Sequence, residues 1–169
     1  MQQSLEQFVD AVAARGSWVG GGGVAAVSAA LAAALLEKLA HRPTLNRRLR
    51  RLRTECLFLG RRDGQVFAEV IAATRRNDRR AFVRCLKAAT AVPQTVFEHA
   101  QTVQAACRAV QRSIKPRFRS DLRCAMALAR AAALGAGALI QTNLAWLDEP
   151  AYAAQVRRRL RRAAGRHVR

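Results

Sequence analysis

The chain has 169 residues, half of them apolar, with aromatics at only 5% and four prolines. Alanine and leucine dominate and no run of alternating β-branched residues occurs, which excludes a β-sandwich or barrel and leaves an all-helical single domain spanning 1–169. Thirty basic residues against 11 acidic ones give a net charge of +19, and all but Lys38, Lys87 and Lys115 of the basic residues are arginine. Such a field attracts polyanions, although arginines spread over most of a chain also fit a solvated surface.

The first element opens on a capping box, Ser4-Leu5-Glu6-Gln7, and its apolar face Leu5, Phe8, Val9 and Val12 runs to about Ala14. The N-terminus lacks the basic-then-apolar order of a signal peptide. Gly20-Gly21-Gly22-Gly23 then reads as a loop, because four glycines inside a helix carry a large entropic penalty. It feeds an alanine-rich helix predicted over Val24 to Ala40. Such a loop gathers backbone N–H groups at the positive end of a helix dipole.

Thr44 is the expected cap of a long third helix that carries a basic ribbon, Asn46 to Arg53, and continues to Ile71, with a kink expected at Gly60 or Gly64. Asn77 or Asp78 caps a fourth helix reaching Val110, bent at Pro93. Lys115 to Arg119 reads as a loop, and Ser120-Asp121 as the cap of a fifth, apolar helix through Leu144. Asp148-Glu149-Pro150 starts a last helix whose basic end, about 157–169, reads as solvated and frayed. The sum is an antiparallel bundle of about six helices.

The second and fifth helices are apolar nearly all round, so a second subunit is expected to cover part of them. Ser17 to Leu36 is long enough to span a bilayer, but its alanine and glycine content favours a buried core helix, and no membrane role is expected. Cys56, Cys85, Cys107 and Cys124 form no C-x-x-C pair and lack nearby histidines, so no metal is expected and four buried free thiols in a reducing cytoplasm are.

Beyond the glycine run, three polar residues stand out on these helices. Asp63 is a lone carboxylate midway along a helix; taken alone, such a residue is more often a solvated partner, here of Arg61, Arg62 or Arg75. Asp121 follows a helix start, where an acid also simply complements the dipole. Asn143 lies about six turns further along, or satisfies a buried helix contact.

Taken in order, these segments resemble the folate cyclodeaminase/cyclohydrolase family. The resemblance is carried by Ser4-Leu5-Glu6-Gln7-Phe8, the glycine run into Val24-Ala25-Ala26, and Asp63-Gly64-Gln65-Val66-Phe67 with Arg75 beyond it. It continues in Ala88-Ala89-Thr90-Ala91-Val92-Pro93, in Ser120-Asp121 after Pro116, and in Gly135 through Asn143-Leu144. It implies an all-α dimer with a reduced folate, polyglutamylated forms included, as substrate near the subunit interface and with no permanently bound cofactor. Asp63 and Asp121 then take the catalytic roles. Gly20, Gly21, Gly22 and Gly23, Arg75, Ser120 and Asn143 take substrate-binding ones. The chain departs from the family pattern at Val19 and Gly23, where Pro and Ser are usual, and at Leu122-Arg123 after Ser-Asp. The alternative is a non-catalytic helical dimer that binds an acidic partner, including nucleic acid without sequence preference.

Overall fold

A computed structural model describes residues 4–165 of the chain. Those residues form six α-helices and no strand: α1 (Leu5–Ala13), α2 (Gly21–Leu39), α3 (Pro43–Arg75), α4 (Arg79–Val110), α5 (Arg119–Leu147) and α6 (Pro150–Gly165). A single 3-10 turn, Pro116–Phe118, leads into α5.

The α1 capping box forms as its sequence predicts: Ser4 Oγ accepts from the Gln7 N–H at 3.1 Å, and Gln7 Oε1 accepts from the Ser4 N–H at 2.9 Å. Helix α4 starts on Asp78, whose carboxylate accepts the Ala81 N–H at 2.9 Å. Asn77 before it takes a left-handed conformation, φ 53°, and turns the chain from α3. Asp78→Ala should therefore cost about 1 kcal/mol in a denaturant titration, the usual price of a lost N-cap. An unchanged midpoint would show that the α3–α4 turn needs no cap.

Several expectations give way. Helix α2 begins at Gly21 rather than Val24, so three of the four glycines are helical and only Gly20, the N-cap, is extended. Helix α3 runs unbroken through Gly60 and Gly64 for 33 residues and starts with Pro43 at its first turn, Arg42 taking the cap position in place of Thr44. Pro at that position loses nothing, since its missing N–H has no helical partner there. Helix α5 is entered from the 3-10 turn with Phe118 as N-cap, so Ser120 and Asp121 lie inside its first turn and Ser120 caps nothing. The supposedly frayed basic end is helical through Gly165, and 166–169 lie outside the described residues, as do 1–3. Only Cys56 and Cys107 are buried; Cys85 is half-buried and Cys124 exposed. Burial lifts the Cys56 thiol to about 12 and the Cys107 thiol to about 11, which keeps both protonated and unreactive.

Helix α2 is the centre of the bundle. It packs against α3 on one side, α5 on the other and α4 behind, while α6 lies on α4. Its alanines make this possible: Ala25, Ala26, Ala29, Ala30, Ala32 and Ala33 are all buried, and with no long side chains between them the neighbouring backbones come close. Leu36, Leu49, Val103 and Leu122 fill the end of the bundle towards the α2 C-terminus. At the other end Val66, Val70, Leu86 and Leu147 do the same.

Helices α2 and α5 both have the length and apolar composition of a membrane span, yet 56% of that window in α2 lies inside the bundle against 33% for the window containing α5. The outer faces stay uncovered: Leu31 is 51% exposed and Leu134 66%.

Candidate functional site

The glycine run and Asp63 meet. The Asp63 carboxylate, from the middle of α3, accepts the Gly23 N–H at the start of α2. A Cβ added to Gly22 would fall inside that carboxylate. Helix α2 has no side-chain cap of its own, so Asp63 supplies from a neighbouring helix what an N-cap residue normally supplies locally. This is why glycine is admissible in a helical first turn: the N–H groups there have no intrahelical partner, and only a residue without Cβ lets a carboxylate from α3 reach them.

The same close approach continues along α3. At Gly60 a Cβ would sit 3.5 Å from the Ala26 methyl and 3.6 Å from the Gly23 carbonyl oxygen. At Gly64 it would sit 2.8 Å from the Trp18 carbonyl oxygen. Trp18 is thereby held over α3, and its ring meets Phe67, one turn beyond Asp63, edge-on with centroids 6.5 Å apart. Both rings remain substantially open, Trp18 48% and Phe67 37% exposed. Val19 is fixed beside them by its N–H donating to Ser17 Oγ at 3.1 Å. The chemistry on offer is a carboxylate fixed on a helix N-terminus, with a flat apolar surface next to it. Burial pushes the Asp63 carboxyl above its ordinary range, opposed by the Gly23 N–H, which moves it towards the window in which a carboxylate serves as a base near neutrality.

Helix α5 runs antiparallel to α2, with Gly21 facing Leu139, Gly135 facing Ala25, and Lys38 Nζ 3.4 Å from Asp121 Oδ2. That register fixes the remaining sequence candidates. Asn143, half-buried, is one turn past Leu139 and so belongs to the Asp63 end of the bundle. Asp121 does not. It pairs with Lys38 at the far end of α2, and Gly23 and Lys38 are about 22 Å apart along a helix that rises 1.5 Å per residue. Ser120, exposed beside Asp121, is equally remote. Arg75 is exposed at the last turn of α3, about 18 Å along the helix from Asp63. Within the chain, then, Asp63 meets Gly22 and Gly23, Asn143 lies at the same end of the bundle, and Asp121, Ser120 and Arg75 stay apart from them.

Two features escaped the sequence. Trp18 offers only its position two residues before the glycine run. The Arg51–Glu55–His99 cluster offers no local signal, because His99 is on α4 and reaches Glu55 at 2.9 Å only through packing. The Glu55 carboxyl is held low chiefly by its hydrogen bond from Arg51, at 2.7 Å, and His99 is held low by burial. Beside this cluster Arg47, Arg50, Arg51, Thr54 and Glu55 line an open groove of about 430 Å³ on α3. Among the described residues no three His, Cys, Asp or Glu side chains are grouped to hold a metal.

Comparison with known proteins adds two findings. The formiminotransferase-cyclodeaminase family model matches residues 4–162. The fold superposes on the crystal structure of formiminotetrahydrofolate cyclodeaminase from Thermotoga maritima with a TM-score of 0.83, covering 95% of this chain and 87% of that one at 22% identity. Among curated proteins no match was found.

Proposed function

The chain belongs to the formiminotransferase-cyclodeaminase family, and from that premise we propose that it acts on an amidine C–N bond of a reduced folate, as a methenyltetrahydrofolate cyclohydrolase or a formiminotetrahydrofolate cyclodeaminase. The observation that carries this reading is the Asp63 carboxylate seated on the α2 N-terminus beside the open Trp18 and Phe67 rings. The bridge carbon of a methenyl folate is part of a formamidinium-like cation. A carboxylate next to it stabilises that charge and accepts a proton from an attacking water. The exposed aromatic faces suit a flat heterocycle, and the N–H groups around Gly20 to Gly23 suit its polar edge. Asn143, at the same end of the bundle, is a hydrogen-bonding group for substrate.

The folate is substrate, and no permanently bound cofactor takes part. The uncovered faces of α2 and α5 support a homodimer, with the cytoplasm as its place of work. Arg75 and Ser120, remote from Asp63 in the protomer, are left with at most an outer role towards an anionic tail of the substrate.

The test is direct. Purified protein mixed with 5,10-methenyltetrahydrofolate should remove the methenyl absorbance well above the buffer rate. A helical, cooperatively folding protein that gives no acceleration, either there or with formiminotetrahydrofolate, overturns the proposal.

The Arg47–Arg50–Arg51 groove favours a second reading, in which the same fold binds a polyanion through its arginines without catalysis. Affinity for a single-stranded oligonucleotide that falls steeply with salt, and falls again in Arg47→Ala, together with an inactive wild type, is the result that selects it.

A further inference from the structure

Helix α3 concentrates its positive charge in its first half, away from Asp63. Arg47, Arg50, Arg51, Thr54 and Glu55, which line the groove, fall within about 140° round the helix and face away from the buried Leu49, Leu52 and Cys56. Arg50 and Arg51 each sit about 5–6 Å from Arg47 between Cβ atoms, and like charges at these spacings destabilise a helix.

Few carboxylates answer them. Glu37, from α2, accepts from Arg50 Nε at 3.0 Å and from Arg53 Nε at 3.3 Å, so two arginines share one carboxylate. Glu55 Oε1 accepts from Arg51 Nε at 2.7 Å. Arg47 has no partner among the described residues. Four arginines therefore stand against two carboxylates on this stretch.

Glu55 is approached from a second side. Its Oε2 lies 2.9 Å from His99 Nε2 on α4, a buried nitrogen that is not aligned with it as a hydrogen bond and has no other partner. The charged groups that act on His99 are Glu55 and Arg51 from α3 and its own neighbour Glu98, which Arg159 of α6 holds in turn.

We propose that Arg47, Arg50 and Arg51 form a site for a single phosphate group, free or as the ester of a small molecule, which enters by displacing the Glu55 carboxylate from Arg51 towards His99. Three arginines at this spacing suit the several oxygens and double charge of a phosphate. A planar carboxylate needs only one of them, as Arg51 shows with Glu55. When the anion takes Arg51, Glu55 turns to His99, and Nε2 takes up a proton from solvent. The Arg51 charge, which holds that proton off, is neutralised, and the freed Glu55 draws it on, so both changes act in one direction. Arg51 and Asp63 are about 18 Å apart along α3 and about 120° round it. The site thus rests on neither function proposed above, and it differs from a general polyanion surface in taking one anion and one proton together.

The first test replaces chloride by sulfate, a tetrahedral anion that stays doubly ionised across the range, at constant ionic strength. Histidine C2–H signals are followed by NMR, with His99→Gln identifying the His99 signal. The His99 midpoint should rise by about 0.5 pH at saturation, while that of the exposed His41 stays in place. An unchanged or lowered His99 midpoint overturns the exchange at Glu55. In the second test inorganic phosphate and glycerol phosphate are titrated against wild type and surface variants. Arg47→Ala and Arg51→Ala should each weaken binding about tenfold. Glu55→Gln should tighten it roughly fivefold, because it removes the competing carboxylate. Arg161→Ala, exposed on α6, should change it by less than about twofold. The tighter-binding probe tells an ester from the free ion. Equal losses in Arg161→Ala, or equal affinity for glutarate, overturn the phosphate site. Binding of an oligonucleotide but of neither phosphate overturns it in favour of a nucleic-acid surface.

Discussion

Asp63→Asn should reduce kcat/KM for the folate substrate by about 10² to 10⁴, the range a positioned acid–base group contributes, while leaving the helical content and the cooperative unfolding intact. Asparagine keeps the shape and can still accept the Gly23 N–H, so the substitution removes the charge and little else. Its effect on stability should run the other way. The folded state holds the Asp63 carboxyl above its ordinary pKa, first because of burial, with the Gly23 N–H opposing. A group raised in this way contributes stability fully below its unfolded pKa, and that contribution is lost as the pH rises through the folded one. The variant does not titrate here. Its Tm relative to wild type should therefore rise from acid towards neutral pH and level off above the folded pKa of Asp63. Activity of the wild type should climb over the same interval, because the base must be ionised. A variant that is less stable at neutral pH by a margin that grows with pH would mean the α2 dipole, rather than burial, dominates at this carboxylate. A variant of full activity would remove Asp63 from the reaction altogether.

The comparison of Glu55 and His99 keeps this assignment clean. Glu55 is held low first by its hydrogen bond from Arg51, so its contribution is present above its unfolded pKa and lost as the pH falls through the folded one. His99 is held low, first by burial, so its contribution too is lost as the pH falls. Both act in the opposite direction to Asp63 and are common to wild type and variant. They cancel in the difference.

Gly22→Ala should be damaging out of proportion to its single added methyl. Helix propensity alone would make alanine better than glycine by about 1 kcal/mol. Against that, the added methyl would occupy the space of the Asp63 carboxylate, which is held by burial and by the Gly23 N–H. Overpacking of this kind costs about 1–3 kcal/mol, and relief by moving Asp63 aside would uncap α2 and displace the base. Loss of activity should accompany loss of stability. Gly21→Ala is the control, because its added methyl would meet only a Leu139 methyl at 3.9 Å, an ordinary contact. A double-mutant cycle with Asp63→Ala reads the mechanism: with the carboxylate gone, Gly22→Ala should recover most of its cost. Additive costs in that cycle would mean the glycine is required for some other contact.

Much of this architecture was legible in the residues themselves. Composition excluded a sheet, the Ser4–Gln7 box and Asp78 marked helix starts, and the uniform apolarity of α2 and α5 pointed to burial on more than one side. These are local signals, because capping and periodicity act within a few residues. The ordered motifs also carried the family. What the sequence could not supply was the meaning of its glycines. Read locally, Gly20 to Gly23 are a loop and Gly60 and Gly64 a kink; in the tertiary structure Gly21 to Gly23 are helical and α3 is unbroken. The reason lies in contacts between segments some forty residues apart: Gly22 is where a carboxylate from α3 reaches the start of α2, and Gly23, Gly60 and Gly64 are where one backbone approaches another. The same limit applied to the carboxylates. Asp63 and Asp121 look equivalent as lone acids on helices, and only the antiparallel register of α2 and α5 shows one capping α2 and the other paired with Lys38 at the opposite end. Local chemistry determined the helices, the caps and the list of polar candidates. Packing of α2 between α3 and α5 decided which candidates share a site, because side-chain proximity across a bundle depends on helix register and phase, which no single helix encodes.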